Sequence, residues 1–132
     1  MTEKEYVSRI GEIAQELVLT MRERVSKGYP AEEDTNPFYC QQSLADVYGN
    51  GWAVILSIHK CKYEKEKGEK ILELAVMHDI NTYKSDCWLG VGKKDKIMSI
   101  LNDDNIYESV AKGIRRLHAH LEECERELRI VE

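Results

Sequence analysis

Apolar side chains recur three and four residues apart near the start of the chain. Val7, Ile10, Ala14, Leu17 and Met21 mark one stripe, and Tyr6, Ile13, Val18 and Val25 widen it. Thr2 and Glu5 stand ahead of it in capping-box spacing, and Lys27-Gly28 with Pro30 beyond closes it. The pattern predicts a helix over 3–27 with one buried face. From Tyr29 to Gln42 neither period holds, two prolines interrupt the chain and Glu32-Glu33-Asp34 forms an acidic run, so a loop is expected.

The period then changes to two. Ser43–Tyr48 and Trp52–Cys61 flank Gly49-Asn50-Gly51, and Asn-Gly between apolar runs predicts a hairpin with Val47 opposite Val54 and Ala45 opposite Leu56. After a polar turn over 62–68, a third strand is expected at Glu69–His78. Matching faces pairs Lys60 with Lys70, Leu56 with Leu74, Val54 with Val76 and Trp52 with His78, because a one-residue slip would set Leu56 against Glu73 or Ala75. Asp86–Val91 reads as a fourth strand, with Cys87, Leu89 and Val91 alternating.

Two helices follow. A short one opens at Gly92-Lys93-Lys94-Asp95 and carries Ile97, Met98, Ile100 and Leu101. A long one starts at Asn105, with Glu108 in capping-box spacing, and runs to about Ile130. Its stripe of Val110, Ile114, Leu117, Leu121, Cys124 and Leu128 has the narrow 4-3 spacing of a coiled-coil seam. The predicted fold class is α+β in a single domain, 1–132: an N-terminal helix, a four-stranded antiparallel meander sheet, then a short and a long C-terminal helix.

One consequence of the pattern bears on function. The second face of the expected sheet carries Leu44, Tyr48, Ala53, Ile55, Ile71, Ala75 and Met77, too much apolar surface to stand in water. A helix, a loop, a ligand or another subunit must cover it.

Composition narrows the classes. With 42% hydrophobic and 33% charged residues among 132, the chain is globular in character, and no apolar run is long enough for a membrane span. Met1-Thr2-Glu3-Lys4-Glu5 is charged with no apolar core behind it, which gives no secretory signal, so cytoplasm is the expected compartment. Cys40, Cys61, Cys87 and Cys124 show no metal-finger spacing and are expected as reduced thiols. A net charge of −5 argues against general nucleic-acid binding, which draws on Lys and Arg to neutralise phosphates.

Three groups of residues carry candidate chemistry. Ser57 and His59 lie two apart on one strand, with Glu73 cross-strand from Ser57 and Asp46 on the same expected face. A hydroxyl, an imidazole and a carboxylate are the parts of a nucleophilic hydrolase, although a nucleophile turn and an oxyanion hole are lacking. His59 and Cys61 could ligate a metal, but the register puts His78 on the opposite face, and His118 and His120 point about 200° apart round a helix, so no metal site is assigned. Gly90, Gly92, Lys93 and Lys94, where a strand meets a helix, could admit a phosphate to backbone N–H groups; the glycine spacing is not that of a P-loop. The lysines at 60, 62, 65, 67 and 70, mixed with Glu64, Glu66 and Glu69, read as a solvated hairpin edge.

The expectation is therefore a non-enzymatic binding or interaction protein acting as a homo-oligomer. It would need no cofactor and would hold a small anionic, nucleotide-like ligand at Gly90, Gly92, Lys93 and Lys94. The alternative is a small hydrolase built on Ser57, His59, Glu73 and Asp46.

Overall fold

The computed structural model describes residues 1–34, 38–62, 64–79 and 81–131, with side chains throughout these except at 81–86 and 124–131. The elements run α1 (Glu3–Lys27), β1 (Phe38–Ser43), β2 (Trp52–Lys60), β3 (Lys70–His78), β4 (Asn81–Gly92), α2 (Lys94–Leu101) and α3 (Ile106–Val131). The four strands form one antiparallel sheet in the order β1-β2-β3-β4. This is the α+β arrangement that the periodicities predict.

Helix α1 begins at a complete capping box. Thr2 Oγ accepts from the Glu5 N–H at 3.1 Å, and the Thr2 N–H donates to Glu5 Oε1. Ile10, Ile13, Ala14, Leu17, Val18, Met21 and Val25 are buried, whereas Val7, at the head of the expected stripe, is 42% exposed. On α3 the expected seam is buried as far as Leu121; Cys124 and Leu128 lie outside the described side chains. Both helices and α2 share a single core with Val54, Leu56, Ile58, Leu72, Leu74 and Val76, so all three cover the same face of the sheet.

The β2–β3 register is the one that face-matching requires, with Leu56 opposite Leu74, Val54 opposite Val76 and Lys60 opposite Lys70. The first strand is not. It occupies Phe38–Ser43, all but the last residue within the expected loop, pairing Cys40 with Leu56 and Ser43 with Ala53, while 45–48 forms turns. A two-residue Asn50-Gly51 hairpin turn needs positive φ at both positions. Here Gly49 (138°) and Gly51 (86°) are positive and Asn50 is not, which lengthens the connection and moves the partner strand upstream. Leu44 thereby enters the core instead of the second face, at 2% exposure.

Strand β4 begins five residues earlier than expected and carries register shifts. One falls between the pairs Leu72–Gly90 and Glu73–Trp88, leaving Leu89 as the extra residue. Cys87 therefore faces the core while Val91, paired with Ile71, faces away, so the alternation of Cys87, Leu89 and Val91 does not define one face.

Candidate functional site

The sheet face that carries no helix is the first candidate. One cross-strand row runs over all four strands: Tyr39, Ser57, Glu73 and Trp88. Tyr39 and Trp88, at its two ends, are 47% and 52% exposed. Around it lie Ala53, Ile55, Met77 and Val91, half-buried, and Ile71 and Ala75, which are buried yet outside the core cluster. Sequence reasoning placed the surplus apolar surface here but missed both aromatics. Tyr39 falls in the expected loop, and Trp88 stands on this face because its neighbour Cys87 faces the core.

The structure brings His59 and Glu73 together at the centre of this face. His59 Nδ1 stands 3.1 Å from the Lys60 carbonyl oxygen, which can only accept, so that nitrogen carries a hydrogen. His59 Nε2 is 3.3 Å from Glu73 Oε1 without the alignment of a hydrogen bond, and the two form an ion pair only when the imidazole is protonated. The other oxygen, Glu73 Oε2, accepts from the Trp88 indole N–H at 2.6 Å. One carboxylate oxygen is thus engaged by Trp88, and no described hydrogen bond joins Ser57 to His59, so the pair lacks the nucleophile–base contact of acyl transfer. Asp46 is not part of this group. It sits in the turn before β2, where Arg9 of α1 donates to its Oδ2 at 2.7 Å, because the strand expected to carry it to the sheet is a turn.

The second candidate is an open cleft of about 450 Å³ at the start of α2, lined by Tyr29, Pro30, Gly68, Lys70, Lys93 and Lys94 among others. Helix α2 starts at Lys93 with no side-chain cap, which leaves its first amides without a side-chain acceptor. Lys93 Nζ lies 3.1 Å from Glu66 Oε2, and Lys94 Nζ stands 5.7 Å from the centre of the Tyr29 ring. The Tyr29 hydroxyl is buried with no hydrogen-bond partner, and burial pushes its pKa up to about 12. Close neighbours surround both glycines: a Cβ on Gly90 would stand 2.3 Å from Ile100 Cδ1, and one on Gly92 would stand 2.5 Å from the Lys96 side chain.

Lys70 corrects the reading of the hairpin lysines as uniformly solvated. It sits in the core-facing phase of β3, at 1% exposure, and its ammonium donates to the carbonyls of Ala31 at 2.9 Å and Asp34 at 3.1 Å, with Glu32 farther at 3.5 Å. It therefore holds the 31–34 loop that walls the cleft. The signal was present in the strand pattern, since 70, 72, 74 and 76 share one face.

A third feature joins the helices to the sheet end. The Tyr6 hydroxyl lies 2.7 Å from His118 Nδ1, His118 Nε2 lies 3.6 Å from Glu122, and Tyr48 meets the His118 ring edge-on at 4.1 Å. Burial and the Glu122 charge raise the Tyr6 pKa, with Arg115 opposing. A phenol held in its neutral form is a structural joint, not an activated nucleophile.

Known protein families, curated proteins and solved structures offer no match to this chain. Function must be argued from the residues themselves. Among the described residues no three His, Cys, Asp or Glu side chains converge as metal ligands, and no helix is long and apolar enough to cross a membrane. Cys40, Cys61 and Cys87 are buried free thiols, the first with its pKa pushed up to about 11 by burial; the Cys124 side chain lies outside those described.

Proposed function

We propose that this chain is a non-enzymatic binding protein that acts as a homo-oligomer, with a small anionic, nucleotide-like ligand held at the start of α2. The observation that carries the reading is the one-sided packing of the sheet: three helices cover one face, and the other keeps an apolar field flanked by Tyr39 and Trp88. Apolar surface of that kind on a folded chain marks a contact site. The ligand reading draws on the uncapped start of α2 and the adjacent Lys93 and Lys94, which line the same cleft. A hydrolase has less support, because Asp46 is remote, Glu73 is held by the Trp88 indole and no described hydrogen bond joins Ser57 to His59.

Native mass spectrometry of gently purified protein tests both parts. The expected result is a multiple of the chain mass, with retained anionic small molecule. A bare monomer would refute the reading. For the cleft, calorimetry with ADP should show binding that weakens when Lys93 and Lys94 are both replaced by alanine and when salt is raised. ADP binding indifferent to both changes would place the ligand elsewhere.

A further inference from the structure

We infer that the helix-free sheet face is the contact between two copies of this chain, packed face to face about a twofold axis. The inference rests on the homo-oligomeric reading above and specifies its surface. Two other surfaces named by the sequence pattern are already used. The seams of α1 (Ile10, Leu17, Met21) and α3 (Val110, Ile114, Leu117) are at most 2% exposed and meet in the chain's own core. The sheet edges are poor templates as well: Arg24 of α1 donates to the Tyr39 carbonyl on β1, and β4 is irregular, and bulged edges resist strand addition.

Charge selects the occupant. The chain carries −5, yet the described side chains of this face include no lysine or arginine, and Glu73 lies 3.3 Å from His59. A nucleic acid would find aromatic platforms here without cations to hold its phosphates. A strongly charged protein would find no complement. Its one described carboxylate, Glu73, already accepts from the Trp88 indole, so the patch can meet its own copy with little like-charge conflict, which is what an isologous contact demands. Trp88 is also prepared for docking, because the Glu73 hydrogen bond at 2.6 Å holds its indole in place and reduces the ordering cost of an aromatic anchor.

Area sets the strength. Four strands about 4.8 Å apart, each giving about six residues at about 3.3 Å, make a footprint of about 400 Å². Two copies then bury on the order of 800 Å², the size of a weak, transient interface, so dissociation is expected at roughly micromolar concentration or above.

Sedimentation velocity over about 1 to 100 µM tests this. Wild type, Ile55→Glu, Trp88→Ala and Leu19→Glu would be compared, the last at an apolar α1 position that is 47% exposed. The expected result is a concentration-dependent dimer for wild type and Leu19→Glu, and loss of dimer by tenfold or more in dissociation constant for both face variants, with unchanged circular dichroism. Should Ile55→Glu fail to fold, Trp88→Ala decides alone. A dimer that persists in the face variants would overturn the inference and leave the homo-oligomer standing. A wild-type monomer throughout would overturn both. Binding of a single-stranded oligonucleotide that Trp88→Ala abolishes would give the face a different occupant and also overturn the inference.

Discussion

Replacing Leu56 by alanine removes three side-chain carbons from the centre of the core, and replacing Ile55, its neighbour in the chain, removes three from the opposite face. Leu56 is fully buried between Cys40 and Leu74, themselves at most 3% exposed. At about 0.8 kcal/mol per buried carbon the transfer loss is about 2.5 kcal/mol, and a cavity that neighbouring strands cannot collapse raises the total toward 4 in a usual range of about 2 to 5. Ile55 is half-buried. Its alanine variant loses about half the transfer energy and leaves no cavity, so even with the strand preference of a β-branched residue added the cost is about 1 to 2 kcal/mol. Urea denaturation well below micromolar concentration, where self-association contributes little, should separate the two midpoints by about 2 kcal/mol divided by the common slope. Equal midpoints would mean that helices cover both faces or neither, and the one-sided packing would be wrong.

Lys70→Met should destabilise by about 1 to 3 kcal/mol, since two charge-assisted hydrogen bonds to the 31–34 loop are lost while burial of an ammonium is relieved; a glutamate-specific protease should cut faster at Glu32 or Glu33, and wild-type stability with unchanged cleavage would count against the clamp. Tyr29, whose folded pKa of about 12 exceeds the ordinary 10, contributes stability that is whole below pH 10 and lost as pH rises through 12. Spectrophotometric titration of wild type against Tyr29→Phe should show one tyrosine ionising near 12, and a missing difference there would refute its burial. Cys40, Cys61 and Cys87 should resist alkylation in the native state and react on unfolding, when mass measurement without reductant should find four labels including Cys124; two or fewer would indicate disulfides.

What the sequence determined by itself is whatever a short-range period can encode. The capping box at Thr2 and Glu5, the stripe along α1 and the seam of α3 are repeated within a few turns, and each repetition points the same way. The β2–β3 pairing was legible for a similar reason: both strands alternate over nine residues, so only one register keeps Val54, Leu56 and Ile58 on the face of Leu72, Leu74 and Val76. The apolar excess on the second face followed directly, and with it the central pair of His59 and Glu73.

Only the tertiary structure decided the rest. Phe38–Ser43 has too little alternation to announce a strand, and Asn50-Gly51 is a hairpin signal that is overridden once Leu44 is drawn into the core. The bulge at Leu89 reverses the facing of every residue beyond it, which no local pattern reveals, while Cys87 in the core sets its neighbour Trp88 on the bare face beside Glu73. The strand period puts Lys70 in the core phase, but only the 31–34 loop supplies the three carbonyls that hold its ammonium, and Asp46 looks like a sheet residue until Arg9 takes it. Periodicity assigns faces within an element. Which elements meet, and which polar group finds which partner, depends on long-range burial, and there a single extra residue or an intruding loop outweighs local preference.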